Sequence, residues 1–232
     1  VAFDVVAGMM RAGVETREID EVVEKLVLER GGELLFKGHK GFPASTCISV
    51  NEEVVHGIPG RRKLASGDIV SVDIGVRLDG WCADAARTYA VGGISEEKAA
   101  LTEATRGALE AGIKSLRAGM KLVELGRAIQ EYAEARGFSV VRTFVGHGIG
   151  RQMWEDPQIP NYVDGSVRQA TTVLPEGCCL AIEPMVNAGT FEVRTLPNNW
   201  PVVTCDGRPS AHWEDTVAIM SQGPMVLTRG DN

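Results

Sequence analysis

Two stretches of the chain carry apolar residues at helical spacing. Ile19, Val22, Val23, Leu26 and Val27 share one face of the first, and Leu122, Leu125, Ile129, Tyr132 and Ala133 share one face of the second. Each predicts an amphipathic helix that stops at glycine, Gly31-Gly32 in one case and Gly137 in the other. The segments that open them, RAGVETREID at 11–20 and RAGMKLVELG at 117–126, agree at Arg, Ala, Gly and Glu with an offset of 106. Two unrelated helices with a common turn would account for those identities. They would not place Gly31 and Gly137 at the same offset, so internal duplication is expected. The chain reads as a single domain, 1–232, with halves of about 1–94 and 95–232. A third helix follows Ser95-Glu96-Glu97 and runs to about Arg117, its first-turn acids favoured by the helix dipole. The chain opens without Met and inside a further apparent helix, as if a few residues preceded it.

Strand patterns fill the intervals. Residues 68–76 and 81–91 predict a hairpin turning at Leu78-Asp79-Gly80, and residues 171–220 predict several strands parted by Asn198-Asn199 and Asp206-Gly207. The whole is an α+β arrangement: an antiparallel sheet with internal pseudo-symmetry, covered on one side by four main helices.

Charge placement changes that picture. Asp73 lies inside the apolar run IVSVDIG and Glu183 inside LAIEPMV. A buried carboxylate costs several kcal/mol unless it is paired or binds a cation. If the turn occupies Asp79-Gly80, Gly75 pairs with Asp84, and Asp73 shares the sheet face of both. A spacing of ten or twelve at this turn would put the two acids on opposite faces. His147, in GHGIG, and Glu214 complete a series of Asp73, Asp84, His147, Glu183 and Glu214. Four carboxylates and one imidazole suit two divalent cations, with Mn, Fe or Co fitting better than Zn, which stays an option.

Composition bounds the remaining classes. A net charge of -7 argues against a nucleic-acid binder, and no apolar run approaches the roughly 18 residues a membrane span needs. Five cysteines without a C-x-x-C pair fit reduced thiols in the cytoplasm. Arg61-Arg62-Lys63 reads as a solvated turn, and Arg229-Gly230-Asp231 as a chance tripeptide.

The motifs VDIG with Asp84 eleven residues on, GHGIG, IEPMVNAG and HWEDT, with FPASTCISVNEEVVHGIPG at 42–60, resemble the type I methionine aminopeptidases of the pita-bread fold. The resemblance covers nearly the whole chain. It implies a dinuclear metal site at the centre of the fold and removal of N-terminal methionine by attack of a metal-bridging hydroxide. Glu183 would be general base as well as ligand, and His56 would contact the scissile amide. Phe42, Cys47, His56, Trp154 and Trp200 would bind the substrate. The implied partner is the N-terminal peptide of newly made proteins, which would bring a cytoplasmic monomer near the ribosome. Prolidase-type relatives usually carry an added N-terminal domain, for which this length leaves no room.

One position departs from the pattern. Seven residues after the GHGIG histidine the family usually has a second catalytic histidine; here it is Trp154. An indole N–H donates one hydrogen bond and never becomes a cation. Gln152 is a candidate to take over, while His39 and Phe36 stand in the pocket-forming loop and Met153 takes a position commonly aromatic. Two alternatives follow: a related dimetal aminopeptidase of altered first-residue specificity or reduced activity, or a non-catalytic peptide-binding protein of the same fold.

Overall fold

A computed structural model describes residues 1–230, so Asp231 of the Arg-Gly-Asp tripeptide lies outside the described residues. Among the described residues there are five α-helices: α1 (Ala2–Met9), α2 (Thr16–Glu29), α3 (Glu96–Ser115), α4 (Leu122–Glu134) and the short α5 (Val167–Thr171). α2 and α4 start by one device. Glu18 Oε2 accepts the N–H of Glu15 at 2.7 Å, and Glu124 Oε1 accepts that of Lys121 at 2.9 Å, each satisfying a donor at its helix start. The chain just before each helix is pinned alike. Gly13 N–H donates to Leu64 O, and Gly119 N–H to Leu174 O, both at 2.8 Å. α2 buries Ile19, Val23 and Val27; α4 buries Leu122, Leu125, Ile129 and Ala133. These are the inward faces the periodicity specifies, each large aliphatic side chain contributing about 1.5–3 kcal/mol on full burial. α3 ends two residues before Arg117 because Leu116 turns extended at ψ 134° and enters the core.

Among the described residues the expected sheet is built as four antiparallel sheets. The longest pairing is the hairpin Ile69–Leu78 with Trp81–Ala90, and Gly75 pairs with Asp84 as the turn requires. Asp79 and Gly80 hold φ of 51° and 77°, the two positive values of a type I′ turn. Cys47–Val50 flanks the hairpin, placing Cys47 opposite Asp73. A five-stranded ladder runs Gly223–Val226, Asp215–Met220, Cys179–Ile182, Gly146–Gly148, Glu155–Ile159. Pro184 breaks the continuation of Cys179–Ile182, since proline has no N–H to give a ladder. The chain resumes as Met185–Asn187 in a three-stranded ladder with Ser210–His212 and Ser139–Val140. The break at Glu183-Pro184 faces the one at Trp213-Glu214, where Trp213 N–H donates to Pro184 O at 3.3 Å.

A pseudo-twofold axis passes between Ala86 and Glu214, which exchange both backbone hydrogen bonds at 3.3 and 3.0 Å. Around it the side-chain contacts repeat. Thr216 Oγ1 bonds the backbone N–H and C=O of Asp84, and Thr88 Oγ1 bonds those of His212. Both pairs are related by the 128 positions that separate Ala86 from Glu214. The main core packs α3 and α4 on one half of the sheet layer, and a second core packs α1 and α2 on the other.

Candidate metal centre and peptide pocket

The ten expected metal-ligating and substrate-contacting residues line one cavity of about 750 Å³: Phe42, Cys47, His56, Asp73, Asp84, His147, Trp154, Glu183, Trp200 and Glu214. The acids come from the sheet seam. Asp73 and Asp84 project from the hairpin, Glu183 and Glu214 from the two facing strand breaks. His147 comes from Gly146–Gly148, whose glycines are dictated by backbone approach. A Cβ on Gly146 would sit 2.3 Å from Ala181 O, and one on Gly148 2.3 Å from Asp156 O. No L side chain fits there without moving a strand.

Asp84, His147 and Glu214 each offer a ligand atom within 4.8 Å of the others, and all three are buried. His147 Nδ1 lies 2.9 Å from Gly148 O. It must donate there, which leaves the Nε2 lone pair facing Asp84 Oδ2 and Glu183 Oε1, each 3.8 Å away. Asp73 and Glu183 are partly exposed, and what they face is the cavity itself.

Asp73 Oδ1, Asp84 Oδ1 and Glu214 Oε1 are buried with no hydrogen-bond partner among the described residues. Such oxygens are costly unless a cation answers them. Burial, then the neighbouring Asp84 and Glu183 charges, push the Asp73 and Glu214 carboxyls well above the carboxylate range. Burial raises Glu183 to about 8, Asp84 adding to the shift and His147 opposing it. Burial opposes a charge on His147, but the nearby Asp84 and Glu183 carboxylates outweigh it and raise its pKa. Hard oxygen donors with one neutral imidazole fit divalent cations, and cation charge reverses these carboxyl shifts.

The organic end of the cavity is aromatic. Phe42 meets Trp200 edge-on at 5.0 Å, and His56 meets Phe144 edge-on at 5.3 Å. Burial of Cys47, with Asp73 and Asp84 beside it, holds that side chain as a neutral thiol. His56 takes φ 60°, a left-handed conformation uncommon outside glycine, at the end of Glu53–Val55. Burial lowers its pKa to about 4, with Asp84 opposing, so it meets a substrate as neutral imidazole.

Trp154 lines the cavity with its ring 6.3 Å from His147 and 4.2 Å from His39. Gln152 is not among the lining residues; His39 is. The imidazole nearest the departing position is therefore His39, on the 3-10 turn His39–Gly41.

Sequence reasoning missed His212. It is 2% exposed, lines the cavity and points Nε2 at Glu183 Oε2 from 3.9 Å. Burial, with His56 and Arg87 nearby, lowers its pKa to about 3. The signal available was its spacing of two from Glu214. Behind Glu214, buried Asp215 pairs with Arg87 at 2.6 Å, and the Arg87 guanidinium also donates to the Ala86 and Glu214 carbonyls.

Clustered buried carboxylates on the seam of a pseudo-symmetric α+β sheet define a class that sequence comparison names: the chain belongs to metallopeptidase family M24, whose profile matches residues 1–221. Within it the chain groups with the methionine aminopeptidases. It is 49% identical over 219 residues to the methionine aminopeptidase of Clostridium perfringens, covering 94% of this chain and 87% of that one. The crystal structure of the Thermotoga maritima methionine aminopeptidase superposes with a TM-score of 0.94 at 41% identity, over 99% of this chain and 91% of that one. Prolidase from Pyrococcus furiosus shares the fold at a TM-score of 0.75 and 24% identity, and this chain spans 61% of its length. The pita-bread fold and a divalent-metal-dependent aminopeptidase are thereby shown. Among the described residues, no helix is long and apolar enough to cross a membrane.

Proposed function

We propose that the chain removes the N-terminal methionine from newly made polypeptides, with Asp73, Asp84, His147, Glu183 and Glu214 holding two divalent ions. The observation that carries this is the set of unpartnered buried carboxylate oxygens opening into a pocket walled by Phe42, Cys47 and Trp200. The ions, with Mn, Fe or Co suited to the donors, supply Lewis acidity and lower the pKa of water. Glu183, raised to about 8 by burial and returned to its ionised form by bound cation charge, would take the proton of the attacking water and deliver it to the leaving amine. Neutral His56 donates to the scissile amide as charge develops on its oxygen. A thioether suits the soft Cys47 and broad Trp200 surfaces. The same reading has the protein as a cytoplasmic monomer working near the ribosome; the five free cysteines fit that compartment, and a nascent-chain substrate fits that location.

Halves of about 1–94 and 95–232 have a duplication as their proposed origin, supported by the matched starts of α2 and α4 and by the paired threonine contacts.

Metal analysis with a peptide panel tests the activity. Met-Gly-type peptides should be cleaved with Mn²⁺ or Co²⁺ added, and no hydrolysis with any metal despite metal binding would overturn it. Trp154 favours a second reading, altered first-residue preference, which predicts Leu- or Ala-initiated peptides cleaved ahead of Met.

A further inference from the structure

Glu183 has its backbone fixed and its carboxylate loosely held. Asn161 Nδ2 donates to the Glu183 carbonyl at 3.1 Å, and Pro184 follows directly, so the main chain is set. The two carboxylate oxygens face opposite imidazoles. Oε1 lies 3.8 Å from His147 Nε2, and Oε2 lies 3.9 Å from His212 Nε2. A carboxylate that must ligate and carry protons needs one orientation, and His147 faces only one of its oxygens.

His212 has the attributes of the missing holder. Its Nε2 is buried and has no hydrogen-bond partner among the described residues. Its backbone is clamped on both sides by Thr88 Oγ1, at 2.8 Å to its carbonyl and 3.0 Å from its N–H. Ser71 Oγ holds that threonine in turn at 2.8 Å. By the pseudo-twofold relation, His212 occupies the place in the second half that Asp84 occupies in the first. A side chain clamped this firmly, aimed into a polar cavity with an unused ring nitrogen, calls for an explanation beyond packing.

We propose that His212 is a positioning residue for Glu183: its Nε2–H donates to Glu183 Oε2, leaving Oε1 to the cation. The proposal rests on the functional reading above. The 3.9 Å separation is longer than a hydrogen bond, and such contacts tighten when a site is filled. A direct ligand role is disfavoured because the tight ligand group is Asp84, His147 and Glu214, while His212 stands behind the second oxygen of Glu183.

The test compares wild type, His212→Leu and His212→Gln, each loaded with Co²⁺. The readouts are the visible absorption of bound Co²⁺, Co²⁺ affinity, and kcat and KM on a Met-Gly peptide. Glutamine keeps a neutral donor near the Nε2 position; leucine keeps the bulk and loses the donor. Expected is an altered Co²⁺ spectrum and a kcat about 10- to 100-fold lower for the leucine variant, with KM little changed, and restoration of both by glutamine. A leucine variant with wild-type spectrum and kcat overturns the proposal, as does a folded glutamine variant impaired as much as leucine. If the leucine variant does not fold, the glutamine variant alone decides: near-wild-type spectrum and kcat support the proposal, and their loss overturns it. Co²⁺ uptake without Met cleavage by wild type would sink the proposed function, leaving the spectra to judge His212. No Co²⁺ uptake by wild type would sink both.

Discussion

Thr216 Oγ1 satisfies both backbone groups of Asp84, accepting its N–H at 2.9 Å and donating to its carbonyl at 2.8 Å. One hydroxyl from Asp215–Met220 thus fixes the backbone that presents the Asp84 carboxylate to the cavity. Thr216→Val keeps the shape and leaves both groups buried and unpaired, at a cost of about 1–3 kcal/mol. Thermal denaturation should show a lower Tm, and calorimetric titration should show Mn²⁺ affinity reduced by about 10-fold or more. Unchanged affinity would mean the Asp84 backbone is held by other contacts.

Trp154→His should raise kcat on Met-initiated peptides. Loss of one donor to a developing oxyanion costs roughly 10²–10³ in kcat, so restoring one should recover part of that. His39 packs against Trp154 with the rings tilted by 37° and lines the same cavity. Steady-state kinetics of the histidine variant, alone and with His39→Ala, checks this; an unchanged or lower kcat would count against it.

Glu183→Gln removes the proton acceptor and one expected ligand charge while keeping the side-chain volume. Turnover should fall by about 10²–10⁴, with the protein still folded by circular dichroism. Near-wild-type turnover would displace Glu183 from the mechanism.

Metal removal should make stability pH-sensitive. Asp73, Glu183 and Glu214 all have raised pKa values in the folded protein, Glu183 about 8 against 4.5 for the free side chain. The folded state therefore binds more protons than the unfolded one between those values. That contribution to stability is full below about pH 4.5 and lost as pH rises through about 8. In EDTA, Tm should drop by several degrees from pH 5 to pH 8, and added Mn²⁺ should cancel the drop. A flat profile in EDTA would contradict the carboxyl shifts.

Much of this molecule was legible locally. The Asp79-Gly80 turn and the apolar alternation around it specify the register that sets Gly75 opposite Asp84 and Asp73 on the same face. The faces of α2 and α4 follow from periodicity alone. Contacts that depend on distant partners were not legible. Gly146–Gly148 is a three-residue strand whose existence depends on Cys179–Ile182, and nothing within GHG alternates. His212 is placed by Thr88 and by the break before Glu214, so its position at the cavity shows only once Ser210–His212 meets Trp81–Ala90. Trp154 was visible as a departure and His39 as a residue of the pocket-forming loop, but the contact between their rings depends on the packing of the 3-10 turn His39–Gly41.

The Ala86–Glu214 bridge makes the protein its own control experiment. Each half offers a threonine gripping the other half's backbone, Thr216 under an acid and Thr88 under an imidazole. The same substitution made at either threonine perturbs the same geometry in the same scaffold, at the same temperature and ionic strength. Any difference between the two variants isolates what Asp84 and His212 each contribute, without a second protein for reference.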